Sequence, residues 1–378
     1  MNFDLTEPQR LVREMIREFA EREVRSRAAE IDRADEFPWD LYKRMGELEI
    51  LGMTLPPEYG GSGADTVTWA VVQEELARAS ATVADTQLLC KLMSDMILLN
   101  GTETQRQRYL PAMARGEKIC AIAQTEPGAG SDVAGIQTTA TPTADGYVLD
   151  GTKRFITEAM VCDLAVVVAT TDPRRGRDAI TLFVVEMGTP GFTRGSKEHL
   201  MGVRGLATGE LVFEECRVPR SCLLGGEGEG FKRAMISLDT GRIGIGCQAL
   251  GIAQAAMDAA IAYARERPAF GQPIAGFQAV QFMLADMSTQ IEAARLLLRR
   301  AAFLKDQGRP ILREAAEAKL FASETAARVT TDALQVHGAY GYSTEFPIER
   351  LYRDARVYQI WEGTSQIQRL VIGRQLLK

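Results

Sequence analysis

Four short segments of this chain combine residue types that could do chemistry together. Residues 124–132 (QTEPGAGSD) form a loop whose glycines let the backbone come near a ligand, while Thr125 and Ser131 offer hydroxyls. A plain turn between strands has the same composition. Residues 151–157 (GTKRFIT) end a strand with an aromatic ring and a hydroxyl, Phe155 and Thr157. Taken alone, that pattern is ordinary core and edge chemistry. Residues 265–271 (RERPAFG), followed by Phe277 and Gln278, stop a helix near Pro268 and leave Arg267 close to its C-terminal end. Residues 360–368 (IWEGTSQIQ) place Glu362 and Gly363 at a break between helices. There Thr364 or Ser365 can cap the next helix and leave N–H groups for an anion or a ring oxygen. An isolated Glu in such a turn is commonly just solvated. What the residues offer together is a carboxylate that a flexible backbone can hold against a ligand, with hydroxyls and helix N–H groups nearby.

The elements that must position these segments fall into three zones, with boundaries placed at 1–118, 119–226 and 227–378. The first reads as helical. Leu11, Met15 and Phe19 recur every four residues with Val12 and Ile16 beside them, and further helices are predicted over 66–79 and 86–99. Pro56, Pro57, Gly60, Gly61 and Gly63 mark a loop between them. In the second zone Gly, Thr and Val rise. Residues 147–149 lie between Asp-Gly turns, and 164–169 and 180–185 are apolar runs of strand length, which predicts a small antiparallel, barrel-like β domain. The third zone is helical again. Met287, Ile291, Ala294 and Leu298 follow a buried helix face, and Ala318, Ala322 and Ala326 allow close helix approach, as in a four-helix bundle.

Bulk properties exclude several classes. A chain of 378 residues with 46% hydrophobic residues buries a large core over more than one domain. With 44 Lys and Arg against 50 Asp and Glu, the net charge of -6 argues against nucleic acid as a partner. Six cysteines without a C-x-x-C pair, and only two histidines, predict reduced cysteines and no metal site. The N-terminus is polar and mixed in charge, and the chain reads as a cytoplasmic protein that does not span a membrane.

Taken in order and at their spacing, the four segments resemble the acyl-CoA dehydrogenase family over essentially the whole chain. Residues 238–243 (LDTGRI), 335–341 (QVHGAYG) and 351–354 (LYRD) carry the resemblance further. It implies an α+β, mainly α fold of helical, β and helical domains, non-covalent FAD, an acyl-CoA substrate, electron-transfer flavoprotein as acceptor and a homotetramer. It implies that Ile122, Gln124, Thr125, Gly130 and Ser131 cover one flavin face, with Phe155, Ile156 and Thr157 on its other side. Arg267, Phe270 and Gln278, with Gln335, Val336, Gly338 and Ala339, resemble contacts to the FAD of a neighbouring subunit. Thr364 and Gln366 match cofactor contacts, while Ser131, Asp239, Arg242, Gly363 and Arg374 match positions near the acyl-CoA.

The reaction so implied removes an α proton while hydride leaves the β carbon. Glu362 is the implied base, its pKa raised by burial, and its backbone N–H is an implied donor to the thioester oxygen. Some members carry the base on the helix of the LDxxR segment, but that position here is Gly241. Trp361, Glu158 and Ala339 depart from the usual Tyr, Asn and Gly. On the helix over 85–95, Lys91 could pair with a second carboxylate of a dicarboxylic substrate, or lie exposed on the solvent side. A non-catalytic scaffold on the same fold and a reductase running the reaction backwards are the competing readings. An oxygen-using oxidase is disfavoured because such enzymes are typically longer.

Overall fold

The computed structural model describes residues 4–378. Its first zone contains α1 (Glu7–Phe19), α2 (Ala28–Ala34), α3 (Trp39–Glu47), α4 (Thr66–Ala79), α5 (Ala81–Asn100) and α6 (Glu103–Ala114). The strands are β1 (Cys120–Ala123), β2 (Thr139–Pro142), β3 (Gly146–Ile156), β4 (Leu164–Thr170), β5 (Ile180–Glu186), β6 (Phe192–Lys197) and β7 (Gly209–Pro219). The last zone holds α7 (Gly230–Glu266), a two-residue-per-strand ribbon of β8 (Pro268–Ala269) and β9 (Gln272–Pro273), then α8 (Gln278–Asp306), α9 (Leu312–His337), α10 (Ile348–Val357) and α11 (Ser365–Leu376). The helical, β, helical order read from the sequence is the order observed.

Local chemistry sets the ends of the site-bearing helices. Asp65 caps α4 by accepting from the Thr68 N–H at 2.7 Å, and the Asp306 carboxylate accepts from the Thr66 N–H at 2.8 Å. That second contact docks the end of α8 on the start of α4. Ser80 caps α5, most of whose residues are buried, so α5 is a central helix rather than an amphipathic surface one. On α1 the buried face is Ile16 and Phe19 with Val12 packed beside them, whereas Leu11 and Met15 are exposed. The four-residue spacing located the helix but not the edge of its apolar stripe.

The large sheet runs β1-β4-β2-β3-β7-β6, with β5 also on β4. It is mostly antiparallel, as expected, but both β1 (Cys120↔Leu164) and β2 (Thr139↔Thr170) pair parallel to β4. Every residue of β4 is buried, which explains its unbroken apolar run. The β3–β7 ladder shifts register between Lys153 and Ile156. Phe155 sits at that irregularity with φ +56°, so its ring is aimed outward and stays 54% exposed.

Helix α7 is long and apolar enough to cross a bilayer by length and composition, but 67% of its most apolar stretch is buried in the fold. It packs on α9, where Ala318, Ala322 and Ala326 are all fully buried. A Cβ on Gly246 of α7 would stand 3.5 Å from the Lys319 Cα, so these backbones approach closely.

Candidate active site

The residues around Glu362 come from four elements. Glu362 itself lies in the turn between α10 and α11, with φ +52°, a left-handed conformation that a non-glycine residue adopts at a cost of about 1–2 kcal/mol. Three contacts hold it there. Lys319 of α9, fully buried, donates through Nζ to the Trp361 carbonyl at 3.1 Å and the Gly363 carbonyl at 2.8 Å. Gln368 of α11, also buried, donates to the carbonyls of Glu362 at 3.1 Å and Gly363 at 2.9 Å. Thr364 caps α11 by accepting from the Ile367 N–H at 3.2 Å.

The clamp aims the carboxylate at α7. Glu362 as a residue is partly exposed, but its Oε2 is buried and has no hydrogen-bond partner among the described residues. A Cβ built on Gly241 would stand 2.7 Å from that Oε2 and 3.2 Å from Leu92 Cδ1 of α5. Glycine is therefore the residue that leaves the Glu362 carboxylate room. Burial pushes the Glu362 carboxyl up to about 7, with nearby Arg242 and then Lys319 pulling it back. Arg242 is buried and pairs with Asp239 at 2.7 Å, while its Nε, like the Trp361 indole N–H, lacks a partner. A carboxyl that titrates near neutrality, buried and unpartnered at Oε2, suits proton abstraction from carbon.

Gly241→Ala should push the carboxylate aside and lower turnover about 10²-fold, the cost of roughly 1 Å of misplacement. Steady-state rates on equal amounts of folded protein would show it; an unchanged rate would mean that Glu362 does not work from this position.

The 124–132 loop and the end of β3 meet at one place. The Arg154 N–H donates to the Thr125 carbonyl at 2.9 Å, and Lys153 Nζ donates to the Gln124 carbonyl at 3.1 Å. Ile122 is part-buried on β1, Gly130 and Ser131 are exposed, and Ile156 is buried between the exposed Phe155 and the part-buried Thr157. Gln124 Oε1 is buried without a partner, and a Cβ at Gly130 would meet nothing within 4 Å. An outward-facing ring, a spare buried acceptor and an open glycine loop fit a planar cofactor such as FAD.

Arg267 and the 335–341 segment form a separate group. The Arg267 guanidinium lies 5.1 Å from the Tyr340 ring, and Phe270, 6.0 Å from Phe277, is 95% exposed. Gln278, Gln335, Gly338 and Ala339 are exposed there too, while Val336 is buried. Gln366 and Arg374 are exposed on α11, and no contact joins Arg374 to the Glu362 group.

Lys91 is not on the solvent side. It is buried, 2.5 Å from Asp95 and 4.8 Å from the centre of the Trp69 ring, so its charge is already answered within the chain. Glu158 is buried as well, with Oε1 unpartnered, and burial holds its carboxyl well above the usual range.

Sequence reasoning missed Lys319, Gln368, Gln248 and Tyr358. The Tyr358 hydroxyl bonds Gln248 Oε1 at 3.0 Å, and Gln248 donates to Gln73 at 2.8 Å, all buried. A signal for Lys319 was present: it stands alone among alanines on the buried stripe of α9. Two surface grooves, of about 370 and 700 Å³, are lined by other residues, chiefly arginines and acids, and none of them is Glu362 or its contacts.

Family models of the acyl-CoA dehydrogenase N-terminal, middle and C-terminal domains match residues 6–117, 121–216 and 228–377. The chain belongs to the acyl-CoA dehydrogenase family. It is 45% identical over 383 residues to the short-chain specific acyl-CoA dehydrogenase of Clostridium acetobutylicum, with all of both chains covered. Among solved structures it matches butyryl-CoA dehydrogenase from Megasphaera elsdenii with TM-score 0.97 and 44% identity over the full length of both chains. A structure described as the electron transferring flavoprotein of Acidaminococcus fermentans matches with TM-score 0.98 and 46% identity, again over both full lengths. As an acyl-CoA dehydrogenase, the protein is an oxidoreductase.

Proposed function

We propose that this acyl-CoA dehydrogenase converts a short, straight-chain acyl-CoA to its trans-2-enoyl-CoA, with Glu362 as the base and electron-transfer flavoprotein as the electron acceptor. The observation that carries the reading is the Glu362 carboxylate, dry and unpartnered at Oε2, aimed at the side-chain-free Gly241. In this reading Oε2 takes the α proton, and Arg242 and Lys319 moderate the charge that Glu362 carries beforehand. Bound FAD supplies the hydride acceptor. Residues 122–131 and 155–157 would hold its ring, with Thr364 and Gln366 as adenine-side or pyrophosphate contacts. Arg267, Phe270, Gln278 and the 335–339 segment meet the cofactor of a neighbouring subunit in a homotetramer. The bareness of Phe270, 95% exposed, supports such a partner surface. Likeness to the Acidaminococcus structure supports the acceptor.

The short acyl group follows from what closes the space along α7. Three residues beyond Gly241, about 4.5 Å of helix rise, a Cβ on Gly244 would already collide with Leu88 and Trp69. Beyond that lies the Tyr358–Gln248 pair, and Tyr358 packs edge-on against Trp361 at 5.2 Å. The Lys91–Asp95 pairing favours this reading over a dicarboxylic substrate.

The test is anaerobic titration of the FAD-loaded protein with butyryl-, hexanoyl-, branched, aromatic and glutaryl-CoA. Butyryl-CoA should bleach the visible band most readily. Failure of every thioester to bleach it, or failure to take up FAD at all, would refute the proposal. In Leu88→Ala the kcat/KM ratio of hexanoyl- to butyryl-CoA should rise about tenfold, the value of roughly one methylene; an unmoved ratio would place the end of the pocket elsewhere.

A further inference from the structure

The Glu362 N–H donates to no group among the described residues, although it stands at the same residue as the candidate base. It belongs to the peptide unit whose other end is the Trp361 carbonyl. No peptide bond in the described chain is cis, so that oxygen and this hydrogen point in opposite directions across one rigid plane. The oxygen is taken by Lys319 Nζ at 3.1 Å, and the same ammonium takes the Gly363 carbonyl at 2.8 Å. Lys319 is fully buried and forms no ion pair among the described residues. Its charge is therefore spent on backbone carbonyls, in surroundings where water screens it poorly.

We propose that Lys319 is a positioning residue that aims and polarises the Glu362 N–H, making it the donor that stabilises negative charge on the substrate's thioester oxygen. A cation on the carbonyl end of an amide draws electron density towards that oxygen and leaves the N–H a stronger donor, as in any cooperative hydrogen-bond chain. The donor is set before substrate arrives, because Lys319 and Gln368 together hold the carbonyls of Trp361, Glu362 and Gly363. One lysine thus serves two ends of the reaction. It eases ionisation of the base and strengthens the donor that receives the charge from the α carbon. The proposal rests on the dehydrogenation reading above.

The test uses acetoacetyl-CoA, a thioester acidic at its α carbon, bound to the FAD-loaded enzyme, and follows ionisation of the bound probe by its ultraviolet absorbance. In Lys319→Met the bound probe should ionise at least one pH unit higher than in the wild type, a tenfold or greater loss of enolate stabilisation. In Lys319→Gln, a neutral donor, the shift should be smaller. A lysine that only packs the helix would lower the melting temperature of the Met variant and leave the ionisation of the probe where it was; that result overturns the proposal. Should the Met variant fail to fold, the wild type decides. With carbonyl-¹³C tryptophan, the Trp361 signal, assigned through Trp361→Phe, should move as Lys319 loses its proton; a signal that stays fixed overturns the proposal. That readout needs neither FAD nor turnover. A wild type that never ionises acetoacetyl-CoA counts against the dehydrogenation reading, and a moving Trp361 signal then still upholds the polarising contact.

Discussion

Glu362→Gln should keep FAD and acyl-CoA binding but turn over about 10²–10⁴-fold more slowly, the usual contribution of a positioned general base. Single-turnover bleaching by substrate measures it directly, and bleaching at the wild-type rate would move the base to another residue. The pH dependence has a definite sign. Burial raises the carboxyl from its ordinary 4.5 to about 7, and only the ionised form takes a proton. The kcat/KM of the wild type should therefore rise with pH through about 7 and level off above it. Stability should run the other way. A carboxyl whose pKa is raised by folding contributes fully below its unfolded value and loses that contribution as pH climbs through the folded one. Against wild type, the Gln variant should thus gain stability between about pH 4.5 and 7, by at most about 3 kcal/mol. Denaturant midpoints at pH 4 and pH 8.5 check this, and groups common to both proteins cancel in the difference. No relative gain would mean that the charged form is well solvated in the fold.

Lys153→Met should cost about 3–5 kcal/mol and loosen FAD with it. Lys153 is fully buried on β3 and pairs with Glu126 at 2.7 Å. Glu126 also accepts the N–H groups of Gln137 at 2.6 Å and Thr138 at 2.9 Å. Lys153 in turn donates to the carbonyls of Gln124 at 3.1 Å and Val168 at 2.7 Å. One ammonium therefore ties the 124–132 loop to two strands. Its removal leaves a carboxylate buried without a cation and the loop without its anchor. Burial of this fully enclosed ammonium lowers its pKa to about 8 even with Glu126 opposing. Pairing Lys153→Met with Glu126→Gln should recover part of the loss, because the stranded charge is then gone. Urea midpoints with an FAD titration of each variant would show it. A double variant no better than the single one would mean that the loop anchor, not the charge, sets the cost.

Much of the fold was legible because helices and strands write their periods into the residues. The helix over 66–79 is observed at those limits, and the Met287–Ile291–Ala294–Leu298 face is buried as its spacing demands. Where two faces of a helix are both apolar, periodicity says less. The helix predicted over 86–99 begins earlier, at Ala81, because Ser80 supplies the cap and nearly every residue of its first three turns is buried. Lys91 shows the same limit. A Lys on a helix reads as solvated; Asp95, four residues on along the same helix, is a neighbour by spacing alone, but only the fold buries Lys91 and brings it against Trp69.

By itself the sequence determined the order of domains, the family, and Glu362 as the carboxylate to watch, since each rests on residues close together in the chain. Tertiary structure alone decided what Glu362 can do. Gly241 lies 121 residues before it and Lys319 43 residues before it. The space that one leaves and the carbonyls that the other holds exist only once α7 and α9 have packed on the turn before α11. Burial is a property of that packing rather than of any residue, so the raised pKa and the donor N–H that the resemblance implied for Glu362 acquire their physical cause only in the folded chain.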